Sequence, residues 1–200
     1  MQRYFQIVCA MLLISGVAAC SPGMATTATL QPGLTETYYP LTTRTGLEEI
    51  DRILDASGDV QRLRSLVQFT SALCTRRDGL GGPPKCLEDE GEGTPVEVLP
   101  FLGPEGSFLR KDEIQDWQGF KASGLYAIYE VSSSAFSDEN YPAGQYAILF
   151  VGKDNQPAIS LRVSNSRIVR VDTLFESSVE SLDTILQRES AKLILVPRPH

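Results

Sequence analysis

The side chains that could do chemistry in this sequence are few, and their types exclude several common mechanisms. The single histidine, His200, is the last residue, so the body of the chain lacks the usual proton shuttle and the commonest metal ligand. The sequence also contains no Gly-x-Ser-x-Gly elbow and no Ser-x-x-Lys pair. We therefore expect neither a serine–histidine catalytic triad, nor a metal site, nor a bound cofactor.

The carboxylates are numerous but lack the spacing of known sites. The acidic run 88–92 has the composition of a calcium loop without its alternating ligands, so it predicts a solvated turn. Glu97 stands between Val96 and Val98 in a predicted strand and therefore projects from the opposite strand face. Either solvent or a pocket could receive it, and in a closed apolar cavity such a carboxylate becomes a usable base near neutral pH.

Composition and charge limit the partners of the protein. Two hundred residues, 42% hydrophobic and 22% charged, are typical of one soluble domain. The formal net charge is −7, so the chain lacks the broad positive field that holds a phosphate backbone. This balance argues against nucleic acid as a partner.

The first 20 residues have the layout of an export signal. One charged residue, Arg3, precedes the apolar stretch 7–19, and no acidic residue occurs before Glu36. A helix that crosses a bilayer needs about 20 apolar residues, and this stretch is shorter. It therefore predicts a signal peptide over residues 1–19 rather than a permanent anchor.

The end of this segment, Val17-Ala18-Ala19-Cys20, resembles the lipobox of bacterial lipoproteins. The resemblance implies that Cys20 receives a diacylglycerol thioether and becomes the first residue of the mature chain, with a further acyl chain on its amine. More than one acyl chain is what stable anchoring requires. We therefore expect an exported chain anchored by lipid to the bacterial cell membrane or outer membrane. The alternative is an ordinary secretory peptide cleaved near Ala19.

The four cysteines have different predicted fates. Cys9 leaves with the signal peptide and Cys20 takes the lipid, which leaves Cys74 and Cys86. In an exported chain, two remaining cysteines predict one disulfide. The loop between them holds three glycines and two prolines and carries Asp78 beside two arginines, so a binding function could also lie there.

Residues 20–45 are predicted to form a lipidated, flexible tether. From Ser21 to Thr45 the chain has eight threonines, three prolines and two glycines, without helical or strand periodicity. The sequence therefore divides into a signal peptide (1–19), this tether (20–45) and a single α+β domain (46–200).

Two short helices are predicted at the start of the domain. Thr45 and Glu48 have the spacing of a capping box, and Asp59 can cap a second helix after Gly58. Apolar residues recur on one face of each helix, as core packing requires. These residues are Leu47, Ile50, Ile53 and Leu54 in the first helix, and Val60, Leu63, Leu66 and Val67 in the second.

The second half of the domain is rich in predicted strands. Short segments of β-branched and aromatic residues, separated by turn formers, predict an antiparallel meander. They span 95–101, 125–131, 146–151, 158–163 and 167–174. The prolines of strand 95–101 favour a first or edge position. A short helix over 111–119, a last helix that includes Leu182, and a terminal strand 193–196 complete the prediction.

Strand 158–163 shows the clearest alternation. Its apolar residues, Ile159, Leu161 and Val163, alternate with Ser160 and Arg162. This pattern predicts a strand with one buried face and one solvated face.

Two helices followed by a curved antiparallel meander resemble the ketosteroid-isomerase-like cone fold, over roughly residues 46–175. The chain adds a C-terminal helix and strand to that arrangement. The resemblance implies a pocket between the helices and the concave face of the sheet. Its candidate residues are Asp78, Glu97, Trp117, Tyr126, Tyr129 and Tyr146.

These features predict a membrane-tethered lipoprotein whose domain binds a small molecule or an envelope protein without catalysing a reaction. No catalytic residue is assigned. The alternative is a small acid–base enzyme of isomerase, cyclase or hydrolase type, in which a carboxylate and a tyrosine of the cone pocket transfer a proton. A buried carboxylate facing a tyrosine hydroxyl in a closed cavity would favour the enzyme.

Overall fold

The computed structural model of this chain describes residues 38–77, 79, 82–154, 156–174 and 178–198. These residues belong to one unit, Glu36–His200. Its helices are α1 (Glu48–Ala56), α2 (Val60–Ser65), a 3-10 helix (Lys111–Asp116) and α3 (Val179–Glu189). Its strands are β1 (Thr70–Leu73), β2 (Pro95–Leu102), β3 (Ser107–Arg110), β4 (Ala122–Val131), β5 (Tyr146–Gly152), β6 (Ala158–Ser164), β7 (Arg167–Leu174) and β8 (Ser190–Leu195).

The eight strands of the described residues form one sheet in which most neighbours are antiparallel. β4, β5, β6 and β7 form a meander, and β8 pairs with the other edge of β4. β2 joins the far side of the meander in parallel, through Phe101 opposite Val171 and Leu102 opposite Asp172. β1 and β3 pair with β2 in antiparallel fashion. The protein is therefore α+β with a mostly antiparallel sheet, the fold class expected from the sequence.

The position of β2 differs from the prediction, which put this strand first or at an edge. β2 lies between β1 and β7. Its prolines are tolerated because neither occupies a position that donates an N–H to a neighbouring strand, although Pro100 lies opposite Phe108 in the ladder with β3. Pro95 is the first residue of the strand, and Pro100 falls between the pairing with β1, which ends at Val98, and the pairing with β7, which begins at Phe101. β1 and β3 have four residues each, too few for a recognisable strand pattern.

Carboxylates hold the starts of the two N-terminal helices. Asp59 caps α2 by accepting hydrogen bonds from the N–H groups of the second and third helical residues, at 2.9 and 3.1 Å. The expected capping box with Thr45 does not form, because the N-cap position of α1 falls on Leu47. Asp51 reaches back instead and accepts a hydrogen bond from the backbone N–H of Thr45 at 2.7 Å.

Helices cover both faces of the sheet. α1 and α2 pack on one face, where Ile50, Ile53 and Leu54 are buried with the apolar residues of the meander. α3 packs on the other face through Leu182 and Leu186. A β-bulge in β4 places two consecutive residues, Tyr126 and Ala127, in this second core. The sheet therefore has two separate apolar cores, and the predicted pocket residues fall on both sides of it.

Tyr38 and Tyr39 run along the edge of β4. Tyr39 exchanges two backbone hydrogen bonds of 2.9 Å with Leu125, on the same edge that β8 occupies farther along the strand. The Tyr38 ring lies 6.3 Å from the ring of Tyr126. A side chain at Gly124 would come within 2.7 Å of Tyr38, so only glycine allows this close approach. These two tyrosines, which composition assigned to the tether, thus contact the domain.

Candidate functional site

Three strands and a disulfide loop extend the sheet beyond the meander. We call this region, β1, β2 and β3 with residues 74–94, the disulfide wing. It meets β7 through the two parallel register pairs of β2. A small core of its own holds it together and contains Ala72, Cys74, Val96 and Val98. The wing therefore continues the main sheet beyond β7 and adds a small core of its own.

The wing loop is covalently closed. Cys74 and Cys86, the two cysteines that the sequence left for a disulfide, are joined across a separation of 12 residues. Cys74 is buried, whereas Cys86 is half-buried and lines a surface pocket. Closing a loop of this size contributes about 3 kcal/mol to stability when the unfolded chain is the reference.

A set of charged groups, which we call the wing clasp, also holds this loop. The partly buried Arg110 guanidinium forms an ion pair with Glu90, with one N–O distance of 3.1 Å. Arg76 donates to the carbonyl oxygens of Glu88 and Glu90, at 3.2 and 2.6 Å. Glu92 accepts hydrogen bonds from the hydroxyl of Thr75 and from the backbone N–H of Arg76.

The acidic run forms a largely exposed turn, as the sequence predicted, and the clasp supplies partners for two of its carboxylates. Hydrogen bonds from Arg110 lower the pKa of Glu90, and the backbone N–H of Arg76 lowers the pKa of Glu92. Both carboxylates are therefore charged, specific hydrogen-bond acceptors. Glu88 and Asp89 remain exposed, as a solvated turn requires.

Open pockets surround the wing loop. A pocket of about 330 Å³ lies between residues 83–87 and β3, and a second of about 440 Å³ lies between the same loop and residues 73–75. Lys85 lines both. A third pocket, of about 530 Å³, lies at the turn between β2 and β3, beside Phe101 and Thr173. Because the disulfide and the clasp hold Cys74, Arg76, Cys86 and Glu90, part of the wall of the first two pockets is formed in advance of any ligand.

Exposed apolar side chains lie beside these pockets. Leu87, 44% exposed, and Leu73, 59% exposed, each line one of them. Phe136, also exposed, belongs to an aromatic cluster with Tyr141 and Phe108, whose ring centroids are 5.0 Å apart. Phe108 lines the smaller pocket. The wing thus combines apolar contacts with cationic and backbone polar groups, the usual composition of a binding site.

Glu97, the carboxylate that the sequence singled out, faces solvent. It accepts a hydrogen bond of 2.5 Å from Lys111, and the two side chains are 57% and 55% exposed. Lys111 also lies over the ring of Phe69, 5.8 Å from its centre. Glu97 is therefore part of a surface ion pair and contacts none of the predicted pocket tyrosines in the described structure.

Two predicted pocket residues lie in the core beneath the N-terminal helices. Trp117 is buried edge-on against Phe101, with ring centres 6.1 Å apart, and its carbonyl oxygen accepts a hydrogen bond from Arg64. Tyr146 is half-buried against the same core. Asp78, the pocket residue of the disulfide loop, lies outside the described residues, as do Cys20 and the whole signal peptide.

The other two predicted residues lie on the opposite face, beneath α3. The hydroxyl of Tyr126 donates a 2.6 Å hydrogen bond to Asp183, and burial together with this bond raises the pKa of Tyr126. Burial raises the pKa of Tyr129 to about 12, and its hydroxyl lies 3.4 Å from Glu189. The structure therefore divides the six predicted pocket residues between two cores, the wing surface and a part of the chain that it does not describe.

A buried ionic cluster under α3 was not predicted. The polar face of β6 was expected to be solvated, but Ser160 and Arg162 are 1% and 2% exposed. Arg162 donates to Asp172 at 2.6 Å and forms a second ion pair with Glu189. Arg170 also donates to Asp172, at 2.6 and 3.0 Å. The alternation in β6 correctly separates its two faces but carries no information about what covers the polar one.

The ionic cluster is electrically balanced, because the two buried arginines, Arg162 and Arg170, face the two carboxylates of Asp172 and Glu189. Burial alone would raise the pKa of Glu189, but the neighbouring Arg162 and Arg188 guanidiniums outweigh that effect, so its pKa is lowered. The loop between β4 and β5 closes over Arg170, whose guanidinium donates to the carbonyl oxygen of Phe136 at 3.0 Å. The cluster connects β6 and β7 to the end of α3, and it leaves one buried nitrogen, Arg162 Nη1, without a hydrogen-bond partner in the described structure.

Comparison with protein families, with curated proteins and with solved structures finds no match for this chain. None of the described helices is both long and apolar enough to cross a membrane. Within the same described residues, no three His, Cys, Asp or Glu side chains come together as a metal site requires.

Proposed function

We propose that this protein is an exported bacterial lipoprotein whose domain works by binding a partner at the disulfide wing. The lipobox ending at Cys20 and the apolar segment before it support export and anchoring to the cell membrane or outer membrane. The cysteine pair 74 and 86 supports an oxidising compartment, because disulfides persist in the bacterial envelope and are rare in the cytosol.

The observation that carries the binding proposal is the construction of the wing. A disulfide and the wing clasp hold the described residues at both ends of the wing loop, and pockets lie on both sides of them. Structural cross-links around an open, partly apolar surface reduce the entropy cost of binding. Nothing in the packing of the main sheet requires such a loop to be held in this way.

The enzyme alternative has weaker support. Carboxylate–tyrosine contacts do occur, between Asp183 and Tyr126 and between Glu189 and Tyr129, but they lie under α3. Glu189 is engaged by two arginines, and Glu97 faces solvent. A general base must reach the proton that it abstracts. We therefore prefer the binding function over an isomerase, cyclase or hydrolase.

The cone-like arrangement of the domain is part of the same proposal. Two helices that precede the meander, with α3 and β8 added after it, support the resemblance to the ketosteroid-isomerase-like fold. In that arrangement the space between α1 and the sheet is a core, filled by residues such as Ile53, Leu125 and Phe150. The ligand surface then lies on the wing rather than inside the cone.

Two measurements test the proposal. For export and anchoring, Cys20→Ala should move the chain from the membrane fraction to the soluble fraction without unfolding the domain. A mutant that still pellets with membranes after a salt wash would refute the lipid anchor.

For binding at the wing, a photo-crosslinking residue at Leu87 should form adducts in the native envelope. The same residue at Gln187, exposed on α3, is the matched control and should form none. Equal adducts at both sites, or none at Leu87, would refute the wing as the binding surface.

A further inference from the structure

The outer edge of β3 has backbone groups that point away from the sheet. The N–H of Arg110 donates to the side chain of Glu113 at 3.3 Å, so this residue faces outward from β2. Backbone groups alternate in direction along an antiparallel strand, and Phe108 therefore faces the same way. Pro100, which lies opposite Phe108 and has no N–H, fits this register.

The outward edge of β3 borders the smaller wing pocket. Phe108, Arg110 and Glu113 line that pocket on one side, and Pro83, Lys85 and Leu87 line it on the other. Arg110 also donates to the carbonyl oxygen of Lys85 at 3.2 Å, so the loop stands beside the end of the strand. The described structure thus combines a strand edge with a groove of about 330 Å³ along it.

The charge of the groove selects its ligand. Among the ion pairs of the described residues, Arg110 is neutralised by Glu90, whereas the exposed Lys85 pairs with no carboxylate. The Lys85 ammonium donates one hydrogen bond to the carbonyl oxygen of Arg77, which leaves two of its three N–H groups for a ligand. Lys85 lines the pockets on both sides of the loop, in a chain whose net charge is −7. The ammonium group is therefore a local cationic site beside apolar walls, complementary to an acidic side chain.

We propose that the outer edge of β3 binds an extended acidic polypeptide segment as an added strand. The backbone of the segment pairs with the N–H and C=O of Phe108, an apolar residue packs against Leu87, and a carboxylate pairs with Lys85. This mode of recognition takes affinity from main-chain hydrogen bonds and specificity from alternate side chains. The inference rests on the proposed binding function and names the class of its partner.

Labelled peptides test the inference on the full chain in detergent. The probe is a fluorescent (Val-Glu)₃ peptide, and fluorescence anisotropy measures its binding. A (Val-Lys)₃ peptide and a (Val-Glu)₃ peptide with alternate amides N-methylated are the controls. We expect both controls to bind at least about tenfold more weakly, because one has the wrong charge and the other cannot form the strand ladder.

Two lysine variants of equal charge change locate the site. Lys85→Glu should weaken binding of the acidic peptide about tenfold, since it replaces an attraction by a repulsion. Lys153→Glu, at an exposed lysine outside the wing, should leave binding unchanged. Bound peptide should also slow hydrogen exchange at the amide of Phe108.

Three results would overturn the inference: equal binding of both charge types, undiminished binding of the N-methylated peptide, or equal effects of the two lysine variants. Absence of acidic-peptide binding would overturn it as well. If Leu87 still crosslinks in the envelope in that case, the binding function stands and the partner class is wrong. If Leu87 fails to crosslink too, the proposed function fails with it.

Discussion

The buried ionic cluster and the wing clasp use the same kinds of side chain for different ends. In the cluster, Arg162 and Arg170 hold Asp172 under α3, away from solvent. In the clasp, Arg110 holds Glu90 at the base of a surface pocket. Removing one partner of a buried pair leaves an uncompensated charge, whereas water can solvate the survivor of an exposed pair.

We expect this protein to tolerate substitutions better in the wing clasp than in the buried ionic cluster. The cluster connects β6, β7 and the end of α3, so its loss would disturb the main sheet. The clasp and the disulfide hold a loop outside that sheet, so their loss would alter the wing and leave the meander in place. We therefore expect the stability of the main sheet and the proposed ligand binding to depend on different regions of the chain.

The largest expected effect comes from breaking the ionic cluster. Asp172→Asn should lower the free energy of unfolding by about 3–5 kcal/mol, because it leaves two buried guanidiniums short of a counter-charge. Asp112→Asn, the same change at a carboxylate 69% exposed beside the clasp, should cost less than about 0.5 kcal/mol. Urea denaturation of both variants measures the difference. Similar losses in the two would contradict the proposed division between regions.

Removing the disulfide should have the next largest effect. Cys74→Ser combined with Cys86→Ser should cost up to about 3 kcal/mol, the chain-entropy value for a loop of this size. Hydrogen exchange should accelerate in residues 75–92 and stay slow in β6 and β7. If exchange accelerates equally throughout the sheet, the wing is not a separate unit of stability.

Acid should weaken the cluster through Glu189. The folded-state pKa of this carboxyl is lowered, so its contribution is present above the unfolded value and is lost as pH falls through the folded value. Unfolding measured from pH 6 down to pH 3 should show Glu189→Gln losing less stability than the wild type, by on the order of 2 kcal/mol. Parallel curves for the two proteins would show that Glu189 does not titrate with folding.

The smallest effect is expected at Glu97. Its carboxylate faces solvent beside Lys111, so Glu97→Gln should change the free energy of unfolding by less than about 0.5 kcal/mol. Peptide binding at the wing should also be unchanged, because Glu97 lines neither of the two pockets beside the disulfide loop. A large loss of either property would return Glu97 to the list of functional carboxylates.

Local chemistry along the chain was enough to predict much of the fold. The cap at Asp59, the alternation in β6 and the turn at Asn165 each depend on neighbours in sequence. A left-handed residue such as Asn165, with φ of 51°, forms a tight turn wherever the flanking strands lie. The pairing of Cys74 with Cys86 follows from counting the cysteines that the predicted processing leaves.

The candidate site required information that is not local. Tyr126 and Trp117 both resemble pocket aromatics in sequence, but they lie in different cores. The bulge in β4 places Tyr126 under α3, whereas Trp117 follows the 3-10 helix and packs in the core of α1 and α2. In sequence, Glu90 is one residue of an acidic run, whereas in the folded chain β3 places Arg110 beside it. The residue pattern of the acidic run does not predict a contact with β3, and the pattern of β3 does not predict a contact with the acidic run.

Sequence by itself predicted the order of the two N-terminal helices, β2 and the elements from β4 to β8, but not β1 or β3. It also predicted the cysteine pair and the polar face of β6, and the lipobox stays a prediction. Tertiary structure alone decided that this face is buried, because α3 and the loop between β4 and β5 cover it and Glu189 reaches Arg162 from 27 residues away. It also decided that Glu97 faces solvent and that Lys85 stands beside β3. The physical reason is that a residue pattern shows which side of a strand is polar, whereas only packing supplies the partner that covers it.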